Sequence, residues 1–553
     1  MIKLFEKLIL RFGQWPIKII LVTLSGVLTS FSFAPWSIWP FGLICFIPIF
    51  LAFQIGIRTK VSTFLLALLY VLVVNSIAFH WMIHAIRVFS GLPLSTTLIV
   101  FIIFIIGNNS RFFIFFAFLH LWEEKGHLRS KRGKLYQILL NPYLIISCVW
   151  ASCEMFGWQL FPWYGASLLS GNELFIQSVD IFGIQGLSIL WMTIQLGIYE
   201  LLKTLFQSIK LRLWFKRKPG MIMALTMLAL IHIYGAMAIS AWEEKQANFE
   251  SKNIAVPQSN TPLTFQNVSE KEQPLLVNKL AAGIVNQSLS IINKAKKQGK
   301  KVSLVVWPES AIPFLSYSDP IYQKQIARLQ NHYPVQIVIN DEQNVMVGGE
   351  PRSYSNVWLI GRNGLPLDNY QKIFLLPFGE YIPLGNILPQ LYNIFKEVSR
   401  FNPGTRFIAM EAQPAVFLPL VCYEVIQSNF VNKFNSKTYR KARMLVNITN
   451  DSWFGGSFES EQHLELARIR SIELRLPLVR ATNGGISAQV DVLGRIQNPT
   501  KISVKAERLY NVKIPLSNST IFSFVGLWPV RVCVILSLFL VSLLIMMSIK
   551  KKN

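Results

Sequence analysis

The chain has 553 residues, 52% of them hydrophobic and only 15% charged, with a mean hydropathy of +0.40. Soluble domains carry about a quarter charged residues, so a single soluble core is excluded and lipid is the expected solvent for much of the chain. The formal charge of +25 raises nucleic-acid binding, but the placement of the basic residues excludes it.

In chain order, apolar runs of membrane-spanning length predict helices near 15–35, 41–57, 62–82, 95–121, 138–158, 181–206 and 220–241. A long polar stretch follows, then a last apolar run, "VRVCVILSLFLVSLLIMMSI", near 526–549. The basic start resembles that of a signal peptide. The aromatic, proline-rich "SFAPWSIWP" and the apolar run directly after it predict that no cleavage occurs.

Lysines and arginines crowd into every second loop. Lys3, Lys7 and Arg11 precede the first helix, and Arg58 and Lys60 lie between the second and third. Lys125 to Lys134 and Lys203 to Lys218 fill two further loops, and Lys550 to Lys552 end the chain. The alternate loops hold almost none, Arg87 excepted. Basic loops stay in the cytoplasm. Both termini are therefore expected there, with a domain on the opposite side. The expected organisation is a seven-helix bundle over 1–242, an extracytoplasmic domain over 243–524, and a last helix with a basic tail over 525–553.

The extracytoplasmic stretch alternates strands with helices. "NIAVPQ", "KVSLVVW", "VQIVIND", "NVMVGGE", "SYSNVWLIG", "AVFLPLVC", "ARMLVNIT", "PLVRAT" and "ISAQVDV" read as strands. "EKEQPLLVNKLAAGIVNQSLSIINKAKKQGK" and "ESEQHLELARIRSIELR" read as helices, with a short one near 425–435. This pattern implies a layered α/β domain around a buried sheet.

Four cysteines, Cys45, Cys148, Cys153 and Cys533, lie inside apolar runs; Cys422 does not. A lone cysteine in an oxidising compartment is either a reactive thiol, half of an intermolecular pair, or a small buried hydrophobe. Glu309 follows "SLVVW", Lys372 and Glu380 lie in "NYQKIFLLPFGEYIP", and Cys422 follows "FLPLV". Chemistry gathers where strands give way to loops. Taken singly, such a glutamate is a turn residue, such a lysine a surface group and such a cysteine packing. Their joint occurrence carries the weight.

"WPESAIP", "YQKIFLLPFGEYIP", "VCYEV" and "NITNDSWFG" resemble the nitrilase (carbon–nitrogen hydrolase) superfamily. With "FAPWSIWPFGLICFIPIF", "LFPWYGASLL", "IFGIQGLSIL" and "RIRSIELRLPLVRATNGGIS", nearly the whole chain resembles that superfamily's membrane-embedded branch, the apolipoprotein N-acyltransferases. The resemblance implies a polytopic α-helical bundle of about eight helices carrying an extracytoplasmic α-β-β-α sandwich, in a bacterial inner membrane with the domain in the periplasm. It implies a ping-pong transfer of an acyl chain from a phospholipid to Cys422, then to the amine of a diacylglyceryl-cysteine lipoprotein.

Glu309 is then the general base, and Lys372 steadies the thiolate and the oxyanion together with a backbone N–H after Cys422. Glu380 orients or neutralises the lysine. Tyr423 and Glu424 either shape the pocket or hydrogen-bond at a strand end. Trp453, Phe454, Leu388 and Phe395 are the expected lipid-facing lid. The partners are phospholipid, diacylated lipoprotein and the bilayer, with no nucleic acid. No cofactor is expected, and there is no P-loop pattern. His80 and His84 lack a third ligand, so no metal is expected.

Glu154, inside an apolar helix, either faces a bundle interior or lies near the interface. One departure from the family pattern is the stretch around Phe265 and Asn267, where relatives often carry tryptophan. The rival readings are a membrane-tethered amidase with the same triad and a transporter or receptor with a passive outer domain.

Overall fold

The computed structural model describes residues 13–55, 59–125, 141–207, 219–261, 272–313, 315–347, 350–394, 398–517 and 519–549. Phe395, the stretch around Phe265 and Asn267, both chain ends, and most of the basic loops lie outside the described residues. The chain forms two compact units. One comprises 1–80, 98–239 and 524–553; the other comprises 81–97 and 240–523.

The first unit is helical. Gln14–Phe31, Lys60–Ala78, Val179–Leu205, Pro219–Ala247 and Trp528–Met546 are long and apolar enough to cross a membrane. Gln273–Lys297 has similar length and hydropathy. It belongs to the second unit, where Val277, Ala281, Ile284, Val285, Ile291 and Ile292 bury a helical stripe in a domain core. Two expected helices are broken. The run near 41–57 is Trp39–Gly42 and Ile47–Gln54, with Pro40 and Pro48 each at the start of a helix, where a missing N–H costs nothing. The run near 95–121 is Leu94–Asn108 and Ser110–Lys125. At this break the Asn109 side chain hydrogen-bonds the carbonyl of Ile105, a local competition with helix geometry.

Glu154 is resolved in favour of the interior: it is 4% exposed. Its carboxylate accepts the N–H of Gly165 at 2.6 Å. Arg111, fully buried on another helix, donates to the carbonyl of Trp163 at 2.6 Å and lies 3.9 Å over that indole. Two opposite charges thus clamp one stretch of irregular backbone within the helical unit. Lipid offers such backbone no hydrogen bonds, so protein groups must supply them.

The second unit contains two six-stranded sheets. The first has the order β12–β1–β2–β3–β4–β5. Its members are β1 Glu250–Gln258, β2 Val302–Val306, β3 Gln336–Val347, β4 Glu350–Ile360, β5 Pro366–Gln371 and β12 Ala506–Ile514. The second has the order β11–β10–β9–β8–β7–β6, with β6 Met410–Glu411, β7 Val416–Val421, β8 Met444–Asn450, β9 Leu478–Asn483, β10 Ala488–Val490 and β11 Ile496–Gln497. In each sheet the central three strands are parallel. Every residue of β8 and β9 is buried, as strands covered on both faces require.

"VQIVIND" and the "NVMV" that follows belong to one strand, β3, paired with β4 from Ile337 to Val347. Several elements were missed, among them β5, β6, β11, β12 and one helix. Asp319 caps the helix Pro320–His332, a start signal present in the sequence. β12 alternates buried and exposed residues at its end and pairs antiparallel with β1 from Glu250 to Gln258.

Candidate functional site

The parallel strands bring the candidate residues to one edge of the sheets. β2 ends at Val306, three residues before Glu309; β5 ends at Gln371, next to Lys372; β7 ends at Val421, next to Cys422; and β8 ends at Asn450. Strands that run the same way end on the same side, so loops distant in sequence meet there.

Cys422 opens a 3-10 turn, Cys422–Ile426, with φ of +47°. A non-glycine residue held in that region stores strain and needs its surroundings to keep it there. Glu424 is the main restraint. Its fully buried carboxylate accepts the Val421 N–H at 2.8 Å, the Ile373 and Phe374 N–H groups at 2.9 and 3.0 Å, and the Tyr370 hydroxyl at 2.7 Å. It therefore ties the cysteine turn to the segment just after Lys372. A carboxylate with several such bonds is worth more than any single neutral contact. Of the two readings for Glu424, strand-end hydrogen bonding is what the geometry displays, and that bonding sets the lysine against the turn. Tyr423 packs against Phe374, with ring centroids 5.7 Å apart.

Lys372 is 1% exposed and bonds Glu380 at 2.5 Å, while Glu309 lies 3.9 Å away. Glu380 in turn accepts the Leu376 N–H at 2.7 Å. Burial disfavours the ammonium, but Glu380 and Glu309 more than offset this and raise its pKa above the ordinary lysine value. Burial pushes the Glu309 carboxyl up to about 7; Lys372 opposes this, Glu380 adds to it, and the Asn450 N–H at 2.9 Å opposes it. Burial raises the Cys422 thiol well above its usual range, Glu309 adds to this, and Lys372 works against it. At rest the site thus holds a thiol, an ammonium and a carboxylate poised near neutrality. That is the pKa range in which a general base is most effective.

Glu309, Lys372, Cys422 and Glu380 are brought together. Trp453 and Phe454 lie in a 3-10 turn, Asp451–Phe454, and are both engaged. Trp453 stacks on Phe89 at 5.0 Å and Phe454 meets Trp81 edge-on at 5.2 Å. Gly455 completes the turn with φ of +69°, and His84 sits so close that an added Cβ would lie 2.6 Å from its Nε2. Leu388 is 48% exposed, and Leu384 and Ile387, near it in the chain, are 64% and 74% exposed.

A second buried group was not anticipated. Arg480 on β9 donates to Asn447 at 2.5 Å and to Asp451 at 2.8 Å. Asn447 donates to the carbonyls of Leu420 and Cys422 at 3.0 and 3.4 Å. His463 lies 3.3 Å from Asp451 and 3.1 Å from Glu459. The signal was present: residues 447, 449 and 451 are polar at every second place of a buried strand and its exit. Asp451, Glu459 and His463 are the group among the described residues whose ligand atoms lie close enough to hold a metal ion. Arg480 already occupies one oxygen of Asp451; burial and Arg480 disfavour a charge on His463, but Asp451 and Glu459 outweigh them and raise its pKa above the ordinary value.

Two family models match the chain. The apolipoprotein N-acyltransferase N-terminal domain covers residues 25–197, and the carbon-nitrogen hydrolase domain covers 272–518. The chain is 29% identical to a Leptospira interrogans protein named apolipoprotein N-acyltransferase 2, over 90% of each chain. The chain belongs to the apolipoprotein N-acyltransferase family. Relatives of that name from Geobacter metallireducens and Haemophilus influenzae are 28% and 25% identical. These cover 88% and 95% of this chain and 88% and 94% of their own lengths.

Proposed function

We propose that the chain moves a fatty acyl group from a membrane phospholipid to the N-terminal amine of a diacylglyceryl-cysteine lipoprotein. Cys422 is the nucleophile, Glu309 the general base and Lys372 the electrostatic support. The observation that carries this reading is the convergence of Glu309 and the Lys372–Glu380 pair on a buried cysteine held in a left-handed turn, in a chain of this family.

Glu309 takes the thiol proton as sulfur attacks the ester carbonyl. Lys372 and a backbone N–H after Cys422 hold the charge on the carbonyl oxygen. The lysophospholipid alkoxide leaves with the proton from Glu309, and the acyl chain stays on sulfur as a thioester. An α-amine has a pKa of about 8, so part of it is neutral near pH 7. The neutral amine attacks the thioester, Glu309 takes the released proton, and Cys422 leaves as thiolate to be reprotonated. Ester, thioester and amide follow in order, and the stable amide makes the last step effectively one-way.

The donor dissolves in lipid. Leu384, Ile387 and Leu388 form the exposed apolar tip that fits an interfacial lid. Trp453 and Phe454, braced by Trp81 and Phe89, form its fixed side. The alternation of basic loops supports cytoplasmic termini and a periplasmic domain in an inner membrane.

The test is a mass shift. Full-length protein incubated with phospholipid should gain an acyl group on Cys422. That adduct should persist in buffer and discharge onto a lipopeptide with a free amine. Rapid loss in buffer alone would indicate an amidase-like hydrolase with the same residues. Transfer that survives Cys422→Ser would overturn the assignment.

A further inference from the structure

At the edge of the sheets opposite Cys422 lies a polar cavity of about 340 Å³, within the size range of small-ligand sites. Its lining belongs entirely to the sheet-bearing unit. Pro477, on its wall, immediately precedes β9, whose far end at Asn483 pairs with Asn450 beside the candidate residues. Lys513, also on the wall, pairs with Ser251 near the start of β1. At about 3.3 Å per residue, the length of β9 puts roughly 20 Å between this cavity and the reacting edge.

The helix Pro219–Ala247 supplies Glu243 and Gln246 to the wall. It is long and apolar enough to cross a membrane. It exposes Leu230, Ile233 and Met237, and its apolar run ends at Trp242, followed by Glu243, Glu244 and Lys245. From Pro219 to Trp242 a helix rises about 35 Å, slightly more than a hydrocarbon layer of about 30 Å. Tryptophan favours the membrane–water boundary, and Lys245 lies 4.4 Å over the Trp242 ring. In a helix that crosses the bilayer, Glu243 and Gln246 then stand at the level of the phospholipid head groups.

The polar groups of the wall are unevenly satisfied. Both acids are engaged. Glu243 pairs with Arg495 at 2.6 Å, and Asp491 accepts the Leu493 and Arg495 N–H groups at 2.9 Å each. Lys513 has no ion pair among the described residues. Gln246 is 8% exposed, yet its side-chain amide makes no hydrogen bond among the described residues, and neither do those of Gln497 and Asn498. A buried amide without a partner is costly. What the cavity lacks is an anionic acceptor with several oxygens. Among the described residues Pro477 is the one apolar member of the lining, so an acyl chain does not belong inside it.

We propose that this cavity binds the phosphodiester head group of a membrane phospholipid that is not the acyl donor. Lys513 faces the phosphate charge, the amides of Gln246, Gln497 and Asn498 donate to its oxygens, and the acyl chains stay in the bilayer. The ester bonds of a lipid held here are too far from Cys422 to react, so it is retained rather than consumed. The inference rests on Pro219–Ala247 crossing the membrane and is independent of the role of Cys422.

The experiment uses full-length protein in vesicles of phosphatidylethanolamine doped with a phosphatidylethanol probe that carries a diazirine in its ethyl group. After illumination, the labelled peptides are mapped by mass spectrometry. Labels are expected within 243–246 and 495–498. Hydrogen bonds to charged groups are strong enough that Lys513→Met should raise the half-saturating probe fraction at these peptides by roughly 10-fold. Gln246→Leu should raise it several-fold. Lys324→Met, which removes an exposed lysine from the helix Pro320–His332, should leave it unchanged. Added phosphatidylethanolamine should compete with the probe, and soluble glycerophosphoethanolamine should not.

Labelling of these peptides that is unmoved in both Lys513→Met and Gln246→Leu overturns the proposal, as does labelling confined to other peptides. Equal competition by the soluble compound would make a free phosphodiester the occupant and overturn the lipid assignment. Acyl adduct formation at Cys422 is followed in the same samples. Labelling without an adduct defeats the acyltransferase reading alone, and an adduct without labelling defeats this one alone.

Discussion

Two buried charge groups lie side by side in the sheet unit, and they are built differently. Around Lys372, the carboxylates of Glu309 and Glu380 keep 12% and 15% of their side chains exposed. Around Arg480, the Asp451 side chain is fully buried, Glu459 is 1% exposed and His463 is 2% exposed. The first group keeps a partly exposed edge, and burial pushes the Glu309 carboxyl up to about 7. In the second, Asp451 is pinned low, at about 2: burial opposes its charge, but Arg480 and His463 prevail. On the function proposed above, the first group exchanges a proton and the second keeps its charges in place. Sealing charges this fully is costly unless each is paired; Arg480 pairs with Asp451 at 2.8 Å, and His463 lies beside both Asp451 and Glu459.

The largest test of this contrast is Glu309→Gln. Removing a general base typically costs about 10²- to 10⁴-fold. Acyl adduct formation should fall by that amount, while thermal unfolding of the detergent-solubilised chain should change little. Arg480→Met should do the reverse. It leaves Asp451 buried without its main cation, and breaking such a pair costs about 3–5 kcal/mol, read as a marked drop in unfolding temperature. If Glu309→Gln destabilised the chain as much as Arg480→Met, the division between the two groups would fail.

A smaller effect follows from pH. Glu309 is useful as a base only when ionised, so adduct formation should rise with pH through about 7 and then flatten. Lys372, with its pKa raised, stays charged across that window. The rising limb should vanish in Glu309→Gln. The mildest effect belongs to the lid: Ile387→Ser with Leu388→Ser should reduce turnover of phospholipid several-fold more than that of a short soluble ester. Equal losses on both substrates would remove these side chains from any role in lipid access.

Much of the reacting side of the contrast was legible in the chain itself. Glu309, Lys372 and Cys422 each follow a short apolar strand, and strand ends can be read from local pattern. The quiet side was not. Arg480 reads as an ordinary arginine within "PLVRAT", and His463 as one polar residue of a helix. Their partners are set by register, with Asn447 opposite Arg480 across β8 and β9, and register between distant strands is not a local property. The break at Asn109 and the pairing of Arg111 and Glu154 with one backbone stretch escaped for the same reason. Trp453 and Phe454 were read as lid residues from their aromatic character, but their packing on Phe89 and Trp81 depends on a helix more than 360 residues earlier in the chain.

The sequence by itself determined which segments are apolar enough for lipid, which alternate as strands and helices, and which residue types stand at the strand ends. Those properties follow from local periodicity and hydrophobicity. Only the tertiary structure decided which of those ends meet, which charges are sealed and which stay partly exposed. Burial and pairing depend on groups far apart in the chain, and their energies appear only once those groups share one place.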